Sequence, residues 1–236
     1  MVESLTSEAE WAALLRHTSS WELPNSPVLL VAPHPDDETL GAGGLIAAAR
    51  ERGIHVRIVA VTDGENAYPE NDSNQIDALR LLRRQEQTRA LERLGVSSEN
   101  IIRLSLPDSA VETRQKDLVS SLLKLVSSDT HLLAPWKDDF HPDHRACGLA
   151  AEEVARVTGA RLTSYFFWTW HQVLPGEVRR LHLGSFPLTP KIMSRKAEAL
   201  LCHHSQLNRS SGDPILPEHL LAPARRSFET FLVTEQ

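Results

Sequence analysis

The chain has 236 residues, with 25 Lys and Arg against 31 Asp and Glu and 41% hydrophobic residues, enough for the core of one ordinary α/β domain. A net charge of −6 without a basic tract argues against nucleic acid or an anionic membrane as partner. Two cysteines, no apolar run near the ~20 residues of a membrane span and no signal-peptide pattern point to a soluble, cytoplasmic protein.

A short helix is expected around SEAEWAALLRH, within an N-terminal extension covering 1–26. From residue 27 short apolar runs alternate with amphipathic stretches. PVLLVA (27–32) reads as a strand buried on both faces, followed by a polar loop and a small-residue helix over 41–53. HVRIVAVT (55–62) is a second strand, and a long helix over 76–94 ends at Gly95. IIRLSL (101–106), HLLAP (131–135) and RLTSYFFW (161–168) give three more strands. Helices are predicted over 117–126, from apolar spacing, and over 143–158, closed by Gly159. This alternation predicts an α/β fold with a Rossmann-like, mostly parallel sheet and helices on both faces. No linker or repeat divides the chain, so one domain spans 1–236. Its α/β core covers 27–168, and an irregular part, 169–236, completes a substrate pocket. There a helix over 190–204 and a final strand over 228–233 are expected.

Open parallel sheets bind ligands beyond the carboxyl ends of their strands, where this chain places its most unusual residues. PHPDDE (33–38) follows the first strand; three consecutive acids beside a histidine repel one another and do not help folding. His34 and Asp37 are three apart, so one turn can present both to an ion, and imidazole with carboxylate suits Zn²⁺ or a similar metal. Acids ahead of a helix also serve as caps. The second cluster tells against that simpler account: WKDDFHPDHRA, after the fourth strand, again carries H-P-D and then a ligand-type residue. Three ligands with an open fourth position is a hydrolytic zinc pattern. Spacing alone does not say which of Asp36 and Asp37 binds metal, nor which of His141 and His144.

These motifs, in order, resemble the LmbE-like (PIG-L) family of zinc-dependent N-acetylglucosaminyl deacetylases. The resemblance runs through PHPDDE, TDGE (62–65), Arg83 and Glu86 leading into LG, LPDS (106–109), HPDH (141–144), Lys196 and HHSQ (203–206), covering roughly 27–233. It implies that His34, Asp37 and His144 hold one Zn²⁺ and that Asp36 is the general base. It further implies that His141, oriented by Asp143, faces the oxyanion or leaving amine, and that Arg83 and Asp108 contact the sugar. The implied activity is removal of an N-acetyl group from a small amino-sugar conjugate.

Other residues have plainer expectations. Leu79, Leu82, Ala90 and Leu94 mark the inward stripe of the long helix, with Glu86 on it as a structural ion-pair partner. Cys147 reads as a buried helix cysteine, and Glu65 as an acceptor for a metal-binding imidazole. The aromatics of 165–171 suit a buried cluster or a sugar platform. Two further readings stand beside deacetylation: a two-metal phosphoesterase using Asp138 and Asp139, and a non-catalytic carbohydrate-binding protein.

Overall fold

The five apolar runs between residues 27 and 168 do pair side by side in the computed structural model, which describes residues 4–68, 70–209 and 212–233. In chain order the strands are β1 (Ser19–Ser20), β2 (Val28–Ala32), β3 (Val56–Ala60), β4 (Ile101–Arg103), β5 (His131–Pro135), β6 (Arg161–Tyr165), β7 (Leu183–Pro187) and β8 (Phe228–Val233). The helices are α1 (Glu8–Leu15), α2 (Asp37–Glu51), α3 (Ser73–Leu94), α4 (Gln115–Leu123), α5 (Pro142–Thr158), α6 (Thr169–Gln172), α7 (Pro175–Val178), α8 (Pro190–Leu200), α9 (His204–Leu207) and α10 (Glu218–Leu221).

One sheet contains all eight strands, in the order β1-β7-β8-β6-β5-β2-β3-β4. β8 runs antiparallel to β6 and β7; every other pair is parallel. The part expected to be irregular therefore extends the sheet through β7 and β8, and the two-residue β1, from the N-terminal extension, forms its edge. The SS pair of β1 and the LGSFP of β7 carry little apolar alternation, which is why neither leaves a sequence signal.

β2 is buried throughout because helices cover both of its faces. Leu30 and Ala32 pack with Leu45, Ile46, Leu91 and Leu94 on one side; Leu29 and Val31 pack with Leu118, Leu122, Ala150 and Val154 on the other. Each such side chain contributes about 1.5–3 kcal/mol. Gly95 and Gly159 end α3 and α5 in the left-handed conformation that glycine adopts without steric cost.

Several helix limits shift by up to four residues, α8 ending at Leu200 rather than 204 and α4 running Gln115–Leu123 rather than 117–126. Two helices depart in ways that bear on the site. α2 begins at Asp37, four residues early, and is interrupted at Ala42 (φ −146°, ψ 17°). Lys196 Nζ donates to Leu40 O on one side of that break and to Glu229 Oε1 (3.0 and 2.7 Å), while Glu229 accepts from Gly44 N and Leu45 N on the other (2.7 and 2.8 Å). A buried ion pair thus satisfies backbone groups that the break leaves open. On α3 the buried stripe is Leu79, Arg83, Glu86, Gln87, Ala90, Leu91 and Leu94, whereas Leu82 is 41% exposed. Periodicity found the face but not its polar centre.

Candidate active site

β2 and β5 are parallel neighbours whose chains leave in opposite directions, β2 toward β3 and β5 toward β6. The crevice at this switch point receives both H-P-D loops. Asp36 is held at φ 148°, ψ −30°, a conformation that L side chains rarely adopt, and its side chain caps nothing. This turn lets Asp36 and Asp37 diverge. In the second loop Phe140 takes a positive φ (54°), His141 is the N-cap of α5 and Pro142 its first residue.

Asp37 Oδ2 lies 3.0 Å from His34 Nδ1 and 3.2 Å from His144 Nε2, and it also accepts the His34 backbone N–H at 2.9 Å. His144 Nε2 is buried and makes no hydrogen bond. Neighbouring ligand atoms around a tetrahedral zinc stand about 3.3 Å apart, from bonds of about 2.0–2.1 Å. One carboxylate oxygen and two imidazole nitrogens at nearly that spacing, one of them without a hydrogen-bond partner among the described residues, fit a divalent cation. Donor atoms of His34, His141 and His144 also converge within 4.8 Å of one another, as do those of His34, Asp108 and Asp143. Asp37 belongs to neither triplet; its contacts with two imidazoles single it out. His144 is the better fixed of the two second-loop histidines, because Asp139 Oδ2 accepts from its Nδ1 at 2.8 Å and turns Nε2 inward.

The surrounding carboxylates favour positive charge here. Burial opposes the charged form of His34, but hydrogen bonds to Asp108, Asp143 and Asp37 outweigh it and raise its pKa well above 6.5. Burial likewise opposes the charge on His144, while Asp37 and Asp139 push its pKa up to about 9. Asp36 differs: burial and the neighbouring Asp37 charge raise it to about 8, with Arg83, 3.8 Å away, only partly compensating. Burial and the charges of His34 and His144 lower His141 to about 4, so it stays neutral.

Several partners differ from expectation. The acceptors for the second nitrogen of His34 are Asp143 Oδ2 (3.2 Å) and Asp108 Oδ1 (3.3 Å), rather than Glu65. Glu65 instead accepts from Asp108 N at 3.4 Å. Asp143 orients His141 through its backbone, while its carboxylate works elsewhere. That carboxylate serves His34 and the backbone N–H groups of Ser109 and Val111, and only the Asp143 N–H reaches His141 Nδ1, at 3.2 Å. Asp139 is fully buried and accepts from His144, Phe167 N, Trp168 N, Thr169 N and the Thr169 hydroxyl. Asp138 pairs with Arg145 at the surface. Neither of these acids is positioned to bridge two metals. The sequence distinguishes Asp139 from Asp138 by nothing, because its donors come from a strand end about 30 residues on.

A pocket of about 230 Å³ opens above these groups, lined by His34, Asp36, Asp37, Asn66, Ala67, Arg83, Asp108, Ser109, His141, Phe167, Trp168, Ile215 and Leu216. Arg83 is buried, donating to Gly64 O (2.7 Å), Gln206 Oε1 (2.9 Å) and Pro35 O (3.3 Å). Among the described residues Glu86 forms no ion pair; it accepts from Ser205 N and Oγ (2.8 and 2.6 Å). Gln206 Nε2 donates to Pro35 O at 2.6 Å and His203 Nε2 meets Thr39 Oγ1 at 3.3 Å, so HHSQ braces the first loop from behind. Of the aromatics in 165–171, Phe167 and Trp168 face the pocket, Trp168 lying parallel to the His141 ring (6.4 Å, 16°). Tyr165, Phe166 and Trp170 are core, and His171 binds Ser4 Oγ. Cys147 is fully buried and joins neither metal-capable group.

An open α/β sheet whose switch point gathers imidazoles and carboxylates around one pocket defines a class: α/β proteins with a metal-capable centre at the strand ends. The family profile described as GlcNAc-PI de-N-acetylase (PIG-L) matches residues 29–155, and the chain belongs to that family. It is 32% identical over 130 residues to a probable N-acetyl-alpha-D-glucosaminyl L-malate deacetylase 2 of Bacillus subtilis, covering 52% of this chain and 58% of the relative. It is also 32% identical over 136 residues to the diacetylchitobiose deacetylase of Thermococcus kodakarensis, covering 56% and 50%. The aligned chain thus spans about half the length of these curated relatives. The solved N,N'-diacetylchitobiose deacetylase of Pyrococcus horikoshii superposes with a TM-score of 0.63 at 25% identity, over 86% of this chain and 80% of that one. A 4-carboxy-2-hydroxymuconate hydratase shares the fold at 18% identity (TM-score 0.54, 89% and 99% covered), so the fold alone does not fix the reaction.

Proposed function

We propose that the chain is a zinc-dependent N-deacetylase acting on an N-acetylglucosaminyl or related amino-sugar conjugate, releasing acetate and a free amine. The observation that carries this reading is Asp37 Oδ2 set between two imidazole nitrogens, one lacking any hydrogen bond, beside an uncapped buried carboxylate. The deacetylases named among its relatives support it.

His34, Asp37 and His144 would hold one Zn²⁺ per chain. When bound, such an ion polarises an amide carbonyl and makes a water molecule acidic at neutral pH. Asp36 takes the proton that the attacking water gives up: its buried carboxylate lines the pocket and caps no helix N–H. His141 Nδ1 accepts the Asp143 N–H, which puts the ring proton on Nε2. That N–H, on a neutral imidazole, donates to the oxygen that gains charge during attack. Asp36 then holds the proton needed by the departing amine. Asp108 and Arg83 border the bound sugar. With Asp139 and Asp138 engaged elsewhere, one ion per chain is expected rather than two.

No helix among the described residues is long and apolar enough to cross a membrane. Both cysteines are free, which suits the reducing cytoplasm as the place of action. The test is acetate release from N-acetylglucosaminyl conjugates with zinc restored, alongside metal analysis. Asp36→Ala should keep zinc and lose turnover, whereas His144→Ala should lose zinc. Near-normal turnover by Asp36→Ala would remove the assigned base.

A further inference from the structure

We propose that Phe140 is a specificity-determining residue: its ring stands at the pocket mouth and packs against apolar surface of the group linked to the amino sugar. This rests on the deacetylase reading of the site and adds a contact residue that lies outside the two H-P-D motifs.

Phe140 is the middle residue of a very tight turn. The His141 N–H donates to Asp139 O at 2.7 Å, so that hydrogen bond spans Phe140 alone, and the Phe140 φ is 54°. A three-residue turn with positive φ is rare and strained, and for a bulky L residue such a φ is an outlier. Glycine or asparagine would take it at lower cost. The turn persists because both neighbours are fixed, Asp139 by the five hydrogen bonds to its carboxylate and His141 as the N-cap of α5.

Burial does not account for the ring either. Phe140 is 61% exposed, and among the described residues it belongs to none of the four apolar clusters. Neither the turn nor the core gains from a phenylalanine here, so the partner of the ring lies outside the fold. Its place selects that partner. The next residue, His141, lines a pocket of about 230 Å³, smaller than the ~300–1,000 Å³ typical of drug-sized ligands. Such a cavity takes the amino-sugar ring and leaves the linked group at the mouth. Phe140 is not a lining residue, so its ring stands outside the cavity, beside His141. Phe167, Trp168, Ile215 and Leu216 already make one wall apolar, and Trp168 lies parallel to His141. A linked group leaving on the His141 side reaches Phe140, and packing there removes apolar surface of both partners from water.

The experiment compares acetate release from phenyl and methyl N-acetylglucosaminide, which differ in apolar surface beyond the sugar, using the zinc-loaded full chain. The wild type should favour the phenyl glycoside in kcat/KM by about tenfold. Phe140→Asn, which accepts a positive φ, should remove most of that preference through KM, and Phe140→Leu should keep about threefold. The methyl glycoside should lose no more than about twofold in either variant. The calorimetric Kd of the deacetylated phenyl product should rise in parallel with KM. In urea, Phe140→Asn should unfold at or above the wild-type midpoint, because the turn is eased. No phenyl preference in the wild type would overturn the inference. Equal losses on both glycosides would overturn it by showing that the turn only positions His141. A lower unfolding midpoint would do so by making the ring structural. So would a wild-type dimer that Phe140→Asn dissociates with the preference unchanged, since the ring would then serve a second copy. Each of these outcomes leaves the deacetylase reading intact. Acetate from neither glycoside, nor from N,N'-diacetylchitobiose, would overturn both.

Discussion

Asp36 and Asp139 sit in equivalent loops beyond neighbouring strands, each the first or second acid of a pair, and both are buried. Their surroundings are opposite. Asp139 accepts five hydrogen bonds, three from successive backbone N–H groups at the start of α6 and one from His144. Asp36 caps nothing, has one guanidinium 3.8 Å away and stands on a strained backbone. A saturated carboxylate is inert and structural; an unsaturated one stays basic. The pair shows that burial of charge alone does not mark a reactive group, whereas burial without partners does.

Substitutions can break this contrast, from the largest effect down. Asp36→Asn should lower kcat for acetate release by about 10²–10⁴ with zinc content unchanged. Asp139→Ala strands His144 and four donors, and should cost about 3–5 kcal/mol in denaturant unfolding. It should also weaken zinc binding about 10–100-fold. Asp36→Gly should abolish turnover yet raise stability by about 1–3 kcal/mol, since it removes both the strained φ and an uncompensated buried acid. Loss of stability there would show that Asp36 is structural like Asp139.

The smallest effect is on pH dependence. Burial lowers His131 to about 4, and likewise His171 to about 4 and His203 to about 3. Each binds a proton more readily unfolded, near 6.5, than folded. Their stabilising contribution is therefore complete above pH 6.5 and falls as pH drops toward 4, by at most ~1.4 kcal/mol per pH unit for each histidine. His131 lies far from the pocket, at the amino end of β5, so His131→Gln should flatten that slope in urea titrations without changing activity.

The parallel core was legible because its strands are short apolar runs bounded by turns, and β5 and β8 match their expected limits to the residue. α2 was placed late because a helix buried on nearly every side has no apolar stripe, and its first turn looked like loop. The H-P-D spacing exposed the ligand-type residues, since ion-binding side chains must be close in sequence when one turn presents them. What the sequence left unreadable is long-range: that Glu86 holds Ser205, that Gln206 supports Pro35, and that the Asp143 carboxylate meets His34. Partners 109 to 171 residues apart leave no local pattern.

The break in α2 has a consequence for how the site comes into being. The turn bearing Asp36 and Asp37 precedes the break, and the groups that stitch the two helical segments together come from Lys196 and from Glu229 on the last strand. Although the reactive residues are made early in synthesis, their final arrangement waits on Glu229, far downstream in the sequence, to dock. A nascent chain released short of Glu229 would carry every ligand-type residue and still lack the clasp that sets them.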